Sequence, residues 1–73
     1  MAEVEAKSEV TGAVWKITTE VGQKVEAGDT IMIIESMKME IPVMCEESGV
    51  IAKFLVEEKT PVSEGQVVAL LTT

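Results

Sequence analysis

Apolar residues in this chain come in short runs, each closed within a few positions by a glycine or a group of charges. The main runs are Ala13-Val14, Ile31 to Ile34, Val50-Ile51, Phe54 to Val56 and Val67 to Leu71. Valine and isoleucine dominate them, which favours strands over helices. No window sustains a three-to-four-residue period, and glycines interrupt every candidate helix. The pattern predicts strands over 12–19, 30–36, 49–56 and 66–72, with turns at 21–24, 26–29, 58–61 and 63–66. Many short strands with closely spaced turn signals point to an all-β sandwich or flattened barrel.

The chain also matches itself. With Gly12 placed over Gly49 and no gaps, Lys16 falls on Lys53, Val25 on Val62 and Gly28 on Gly65. Val14 meets Ile51, Ile17 meets Phe54, Ile31 meets Val68 and Ile34 meets Leu71. Two copies of one unit are expected, each running glycine, strand, turn, short strand, glycine, strand. In both copies the apolar pair Val14/Ile17 or Ile51/Phe54 is three residues apart. A flat strand would send the members of each pair to opposite faces, so a bulge or a strand passing between sheets is expected in both. The turns are expected to differ, because Gly22 takes positive φ freely and Lys59 at the matching position does not.

Residues 31–44 would make a strand of fourteen, beyond the usual range of about three to ten. The polar cluster Glu35 to Glu40 is where it folds back. A two-residue loop at Met37-Lys38 sets Ser36 opposite Met39, Glu35 opposite Glu40 and Ile34 opposite Ile41. Such loops favour Asn-Gly or another glycine pair because they need positive φ, and paired acids disfavour strand pairing. Met-Lys between two glutamates breaks both rules within six residues, and natural sequences break local rules at functional sites. The plainer reading is a solvated turn lysine with methionines packed inward. Catalysis by a lysine needs an amine set up by its neighbours, and acids on both sides work the other way. Lys38 is better suited to presentation to another protein's active site.

Composition narrows the options. The 73 residues make one domain, 1–73. Domains of this size bury only about 60% of their unfolded surface, and the lone Cys45 rules out an internal disulfide. Net charge is −7 with no histidine, which argues against nucleic acid and favours a self-repelling monomer. No apolar run is long enough for a membrane span. Met1 to Glu5 has no basic stretch leading into an apolar core, so no signal peptide is expected and the expected compartment is the cytoplasm.

The stretch Glu35-Ser36-Met37-Lys38-Met39-Glu40 resembles the modification motif of biotinyl domains, usually Glu-Ala-Met-Lys-Met-Glu. The likeness extends over nearly the whole chain: Gly12 to Ile17, Gly22 to Val25, Gly28, Pro42-Val43, and Gly49 through Val62 to Gly65. In size and in Ser-Met-Lys-Met-Glu-Ile-Pro it is similar to small free-standing biotin/lipoyl attachment proteins. The resemblance implies a flattened β-barrel of two four-stranded antiparallel sheets with a quasi-twofold axis, the lysine on a hairpin at one end and both termini at the other. It implies a non-catalytic carrier in which a biotin–protein ligase acylates Lys38 and the covalent biotin serves biotin carboxylase and carboxyltransferase sites. Glu35, Ser36, Met37, Met39 and Glu40 are then the surface that ligase or carboxylase recognises. The departures are Ser36 for the usual alanine, no proline before Gly12, no Ala-Pro pair before Gly49, and Lys59-Thr60 for the usual Gly-Asp.

Two other readings stay open. Lipoyl domains share the fold and take lipoate, but their lysine usually follows aspartate, where this chain has Met37. An unmodified β module that only binds partners would leave Lys38 a free amine. Cys45 is not a credible nucleophile, with no histidine to pair with and Glu46-Glu47 after it; a half-buried place at a strand end is expected. Trp15 is expected to pack or make a partial surface contact, Glu46-Glu47 and Glu57-Glu58 to be solvated, and Met32 and Met44 to fill core. Met37 and Met39 are expected to face outward.

Overall fold

The computed structural model describes residues 2–73, which form eight strands. These are β1 (Glu3–Lys7), β2 (Gly12–Ile17), β3 (Lys24–Val25), β4 (Thr30–Ser36), β5 (Met39–Met44), β6 (Gly49–Phe54), β7 (Pro61–Val62) and β8 (Val67–Thr72). They build two four-stranded antiparallel sheets, ordered β1-β8-β6-β3 and β5-β4-β2-β7. Pro42 and Pro61 lie on the two edge strands of the second sheet, where a missing N–H costs no interior ladder bond. Among the described residues no helix is long and apolar enough to cross a membrane.

The self-match is an internal twofold. β2 and β6, β3 and β7, β4 and β8, and β5 and β1 are counterparts, and exchanging them turns one sheet order into the other. Backbone hydrogen bonds repeat in the same register. Gly28 donates to the Cys45 carbonyl (2.8 Å) and Gly65 to that of Ser8 (2.7 Å); Cys45 donates to Asp29 (3.0 Å) and Ser8 to Gln66 (2.9 Å).

The expected bulges are present in both halves. β2 slips against β4 between Val14 and Lys16, and β6 slips against β8 between Ile51 and Lys53. Trp15 and Ala52 are the extra residues, so Val14 and Ile17 both reach the core, as do Ile51 and Phe54. Trp15 is left about half exposed. These strands stop at Ile17 and Phe54, two residues short of the expected ends. A second pair of slips, at Ile31 against β5 and at Val68 against β1, was not anticipated. It explains why the neighbours Ile31-Met32 and Val68-Ala69 are all buried.

The core centres on Ile31, Met32, Ile34, Ile51, Val68 and Leu71, all essentially inaccessible. Met32 fills it as expected. Met44 does not: it is 54% exposed, because side chains alternate along β5 and Val43 takes the inward position. Cys45 is fully buried rather than half-buried, and its thiol donates to the Glu26 carbonyl. Glu46, Glu47, Glu57 and Glu58 are exposed.

Lys59 corrects the expectation that the two turns differ. It adopts φ 70°, the counterpart of Gly22 at φ 90°. Left-handed backbone costs a non-glycine residue roughly 1–2 kcal/mol, but hydrogen bonding over-determines it here. Lys59 N–H donates to the Val14 carbonyl (2.6 Å), and Thr60 donates to the Glu57 carbonyl through both its amide and its hydroxyl.

Candidate functional site

The β4–β5 hairpin has the register read from the sequence: Ser36 opposite Met39, Glu35 opposite Glu40, Ile34 opposite Ile41. At its tip Met37 has φ 51° and Lys38 φ 65°. Two successive positive values make a type I′ turn, whose twist matches that of the strands it joins. Neither residue favours that conformation. Backbone strain of this kind persists where the surroundings hold it, and it clusters at functional sites.

Side chains around the tip point where alternation sends them. Met37 is 93% exposed and Met39 64%, so the methionines face outward and add nothing to the core. Glu35 and Glu40 stand across from each other, both exposed. Lys38 is exposed and has no carboxylate within 4 Å; among the described residues the single ion pair is Lys7 with Glu5. The tip thus offers an exposed amine between two apolar side chains, with an acidic pair below it.

Ser36 is half-buried, and its hydroxyl donates to the Thr11 carbonyl at 2.8 Å. The Thr11 hydroxyl in turn accepts the Glu64 N–H at 3.1 Å. Gly12 makes this approach possible, since a Cβ there would sit 2.3 Å from the Glu35 carbonyl oxygen. Sequence reasoning marked Gly12 as a repeat boundary and as part of the family likeness, not as a close approach, and missed Thr11 and Glu64. Their contributions run through a carbonyl, a common hydroxyl and an amide, which leave no distinctive pattern.

These contacts also orient the molecule. The 8–11 connection and the 63–66 turn lie at the lysine end. β8 runs from that turn to the opposite end, where Ala2 and Thr73 exchange backbone hydrogen bonds of 3.3 and 2.8 Å. Ala2 and Thr73 therefore lie side by side, away from Lys38.

A groove of about 820 Å³ opens between β1 and β5, against Val4, Ala6, Val43 and Cys45, and none of residues 35–41 lines it. Among the described residues no group of His, Cys, Asp and Glu could hold a metal ion.

Comparison with known proteins shows the family. Residues 3–71 match the biotin/lipoyl family model, described as "Biotin-requiring enzyme". The chain is 36% identical over 64 residues to a Biotin/lipoyl attachment protein of Bacillus subtilis, covering 88% of each. It is 31% identical over 72 residues to the Biotinylated protein TB7.3 homolog of Mycobacterium leprae, covering 99% of this chain and 100% of the relative. In three dimensions 99% of it superposes on part of the Kluyveromyces lactis urea carboxylase at TM-score 0.93 and 39% identity, where it corresponds to only 6% of that chain. From residue 3 to residue 71, this chain belongs to the biotin/lipoyl attachment family.

Proposed function

We propose that the chain is a single-domain biotin carrier, residues 1–73, with the cofactor attached as an amide at Lys38 Nζ. The observation that carries this is Lys38 standing exposed on a type I′ tip between two outward methionines, in a member of a family described as biotin-requiring. A biotin–protein ligase is the enzyme that would make the bond. Lys38 Nζ attacks the carbonyl carbon of biotinyl-adenylate, AMP leaves, and the amine gives up a proton. The amide removes the lysine's charge. Attached there, biotin supplies a ring nitrogen that accepts and releases a carboxyl group.

The chain's own residues present rather than catalyse. Met37 and Met39 give the visiting enzyme an apolar rim, and Glu35, Ser36 and Glu40 complete the surface or its support. The hairpin holds the attachment atom clear of the barrel, so one tether reaches two active sites at high effective concentration. The hard chemistry belongs to the cofactor and the partner enzymes. Those partners are a biotin carboxylase and a carboxyltransferase, a reading supported by the likeness to part of a urea carboxylase. Between visits the chain is a cytoplasmic monomer, kept apart from its copies by a net charge of −7.

The test is co-expression with a biotin–protein ligase in excess biotin, beside Lys38→Ala, with intact mass as the readout. One biotinoyl adduct on the parent and none on the variant is the expected result. A lipoyl adduct would move the chain to acyl transfer. No adduct on a folded parent with active ligase would leave an unmodified interaction module.

A further inference from the structure

We propose that Ser36 is a positioning residue for the modification of Lys38: its hydroxyl latches the hairpin to Thr11 and fixes the tip before the modifying enzyme arrives. This rests on the ligase reading above.

The latch joins three segments that are distant in sequence. Ser36 Oγ donates to the Thr11 carbonyl, and Thr11 Oγ1 receives the Glu64 N–H. The hairpin, the β1–β2 connection and the β7–β8 turn are thereby tied at the lysine end. Among the described residues, no other side-chain hydrogen bond involves Glu35 to Glu40. The bond lies one residue before two successive left-handed residues, neither of them glycine. The β4–β5 ladder closes below that tip at Ser36 and Met39, and the Ser36 bond adds a side-chain tie from the ladder's last pair to the barrel.

The internal twofold supplies a control within the molecule. At the opposite end Gly49 approaches the Thr72 carbonyl as Gly12 approaches that of Glu35, at 2.7 Å for a built Cβ. The counterpart of Ser36 there is Thr73, whose hydroxyl donates to Ala2 rather than to Ser48, the counterpart of Thr11. The barrel corner packs without a latch. The bond at Ser36 is therefore not a requirement of the fold, and it occurs at the end that carries the lysine.

A held tip enters the ligase site with less ordering left to do. The benefit belongs in the affinity of the ligase for this chain, not in the rate of amide formation. The hydroxyl proton is committed to Thr11, so its role is to hold the tip, and contact of the hydroxyl with the ligase is the competing outcome of the test.

The experiment compares the whole chain with Ser36→Ala and Ser36→Thr. Amide hydrogen exchange of residues 36–39 is measured without ligase, and steady-state biotinylation is measured with the unmodified chain as varied substrate. For Ser36→Ala, tip exchange should quicken about three- to tenfold, the worth of one net hydrogen bond. KM for the chain should rise by a similar factor, with kcat unchanged. Ser36→Thr should restore both, and exchange at Ala2 and Thr73 should not move. Unchanged exchange and KM in Ser36→Ala would overturn the latch. A fall in kcat with unchanged exchange would also overturn it, by showing that the enzyme reads the hydroxyl itself. If the parent takes no biotin, the ligase reading fails, and the exchange data still decide whether the tip is latched.

Discussion

Met37 and Met39 show how far single residues can be read. Their outward placement follows from a short hairpin that runs past the core, and the structure leaves them 93% and 64% exposed. Replacing both with alanine is expected to change unfolding free energy by less than about 0.5 kcal/mol. The same change should slow modification or carboxyl transfer, so denaturation and activity measured together check the assignment. Met44 was expected in the core with Met32, and its place on β5 beside the inward Val43 sets it outside instead. Lys59 was misread because a propensity was taken to decide a backbone that three hydrogen bonds decide instead. Lys59→Gly should relieve that conformation, less the extra unfolded-state entropy of glycine. A gain of about 0.5–1 kcal/mol in chemical denaturation is the expected result.

Among the elements, the β4–β5 hairpin was legible down to its register, because fourteen residues could not form one strand and the polar cluster had one centre. The bulges in β2 and β6 were legible from apolar residues spaced three apart. Those at Ile31 and Val68 were not: inside an unbroken apolar run, nothing marks which residue is the extra one. The seating of β2 against the hairpin was also hidden, since a glycine in sequence does not say whether it serves a turn or a close approach. Two substitutions separate these uses. Gly12→Ala would drive a Cβ to 2.3 Å from the Glu35 carbonyl oxygen and should cost about 2–3 kcal/mol, in the range of other overpacking. Gly22→Ala meets nothing within 4 Å and bears only its φ of 90°, so a loss nearer 1 kcal/mol is expected. Urea denaturation of the two variants side by side reads the difference.

For the molecule as a whole, the repeat disclosed two matched units of a sandwich or flattened barrel, because a shared spacing of glycines and core residues constrains six strands at once; the two four-stranded sheets followed from the family resemblance. The repeat did not disclose the pairing of β1 with β8, which joins the first strand to the last. Through that pairing Ala2 and Thr73 stand where the opposite half of the barrel has Ser36 and Met39, the base of the lysine hairpin. To a surrounding polypeptide, residues 2–73 would behave as a loop whose ends are already closed, so splicing them in adds little loop-closure entropy. Placed in an exposed loop of an unrelated host, the segment should leave the host's Tm nearly unchanged and should still accept biotin on Lys38 as fully as the parent, as intact mass would show. Adjacent ends at one pole and the lysine at the other make the barrel a graftable cassette, and every host it is grafted into would carry the lysine on its outward side.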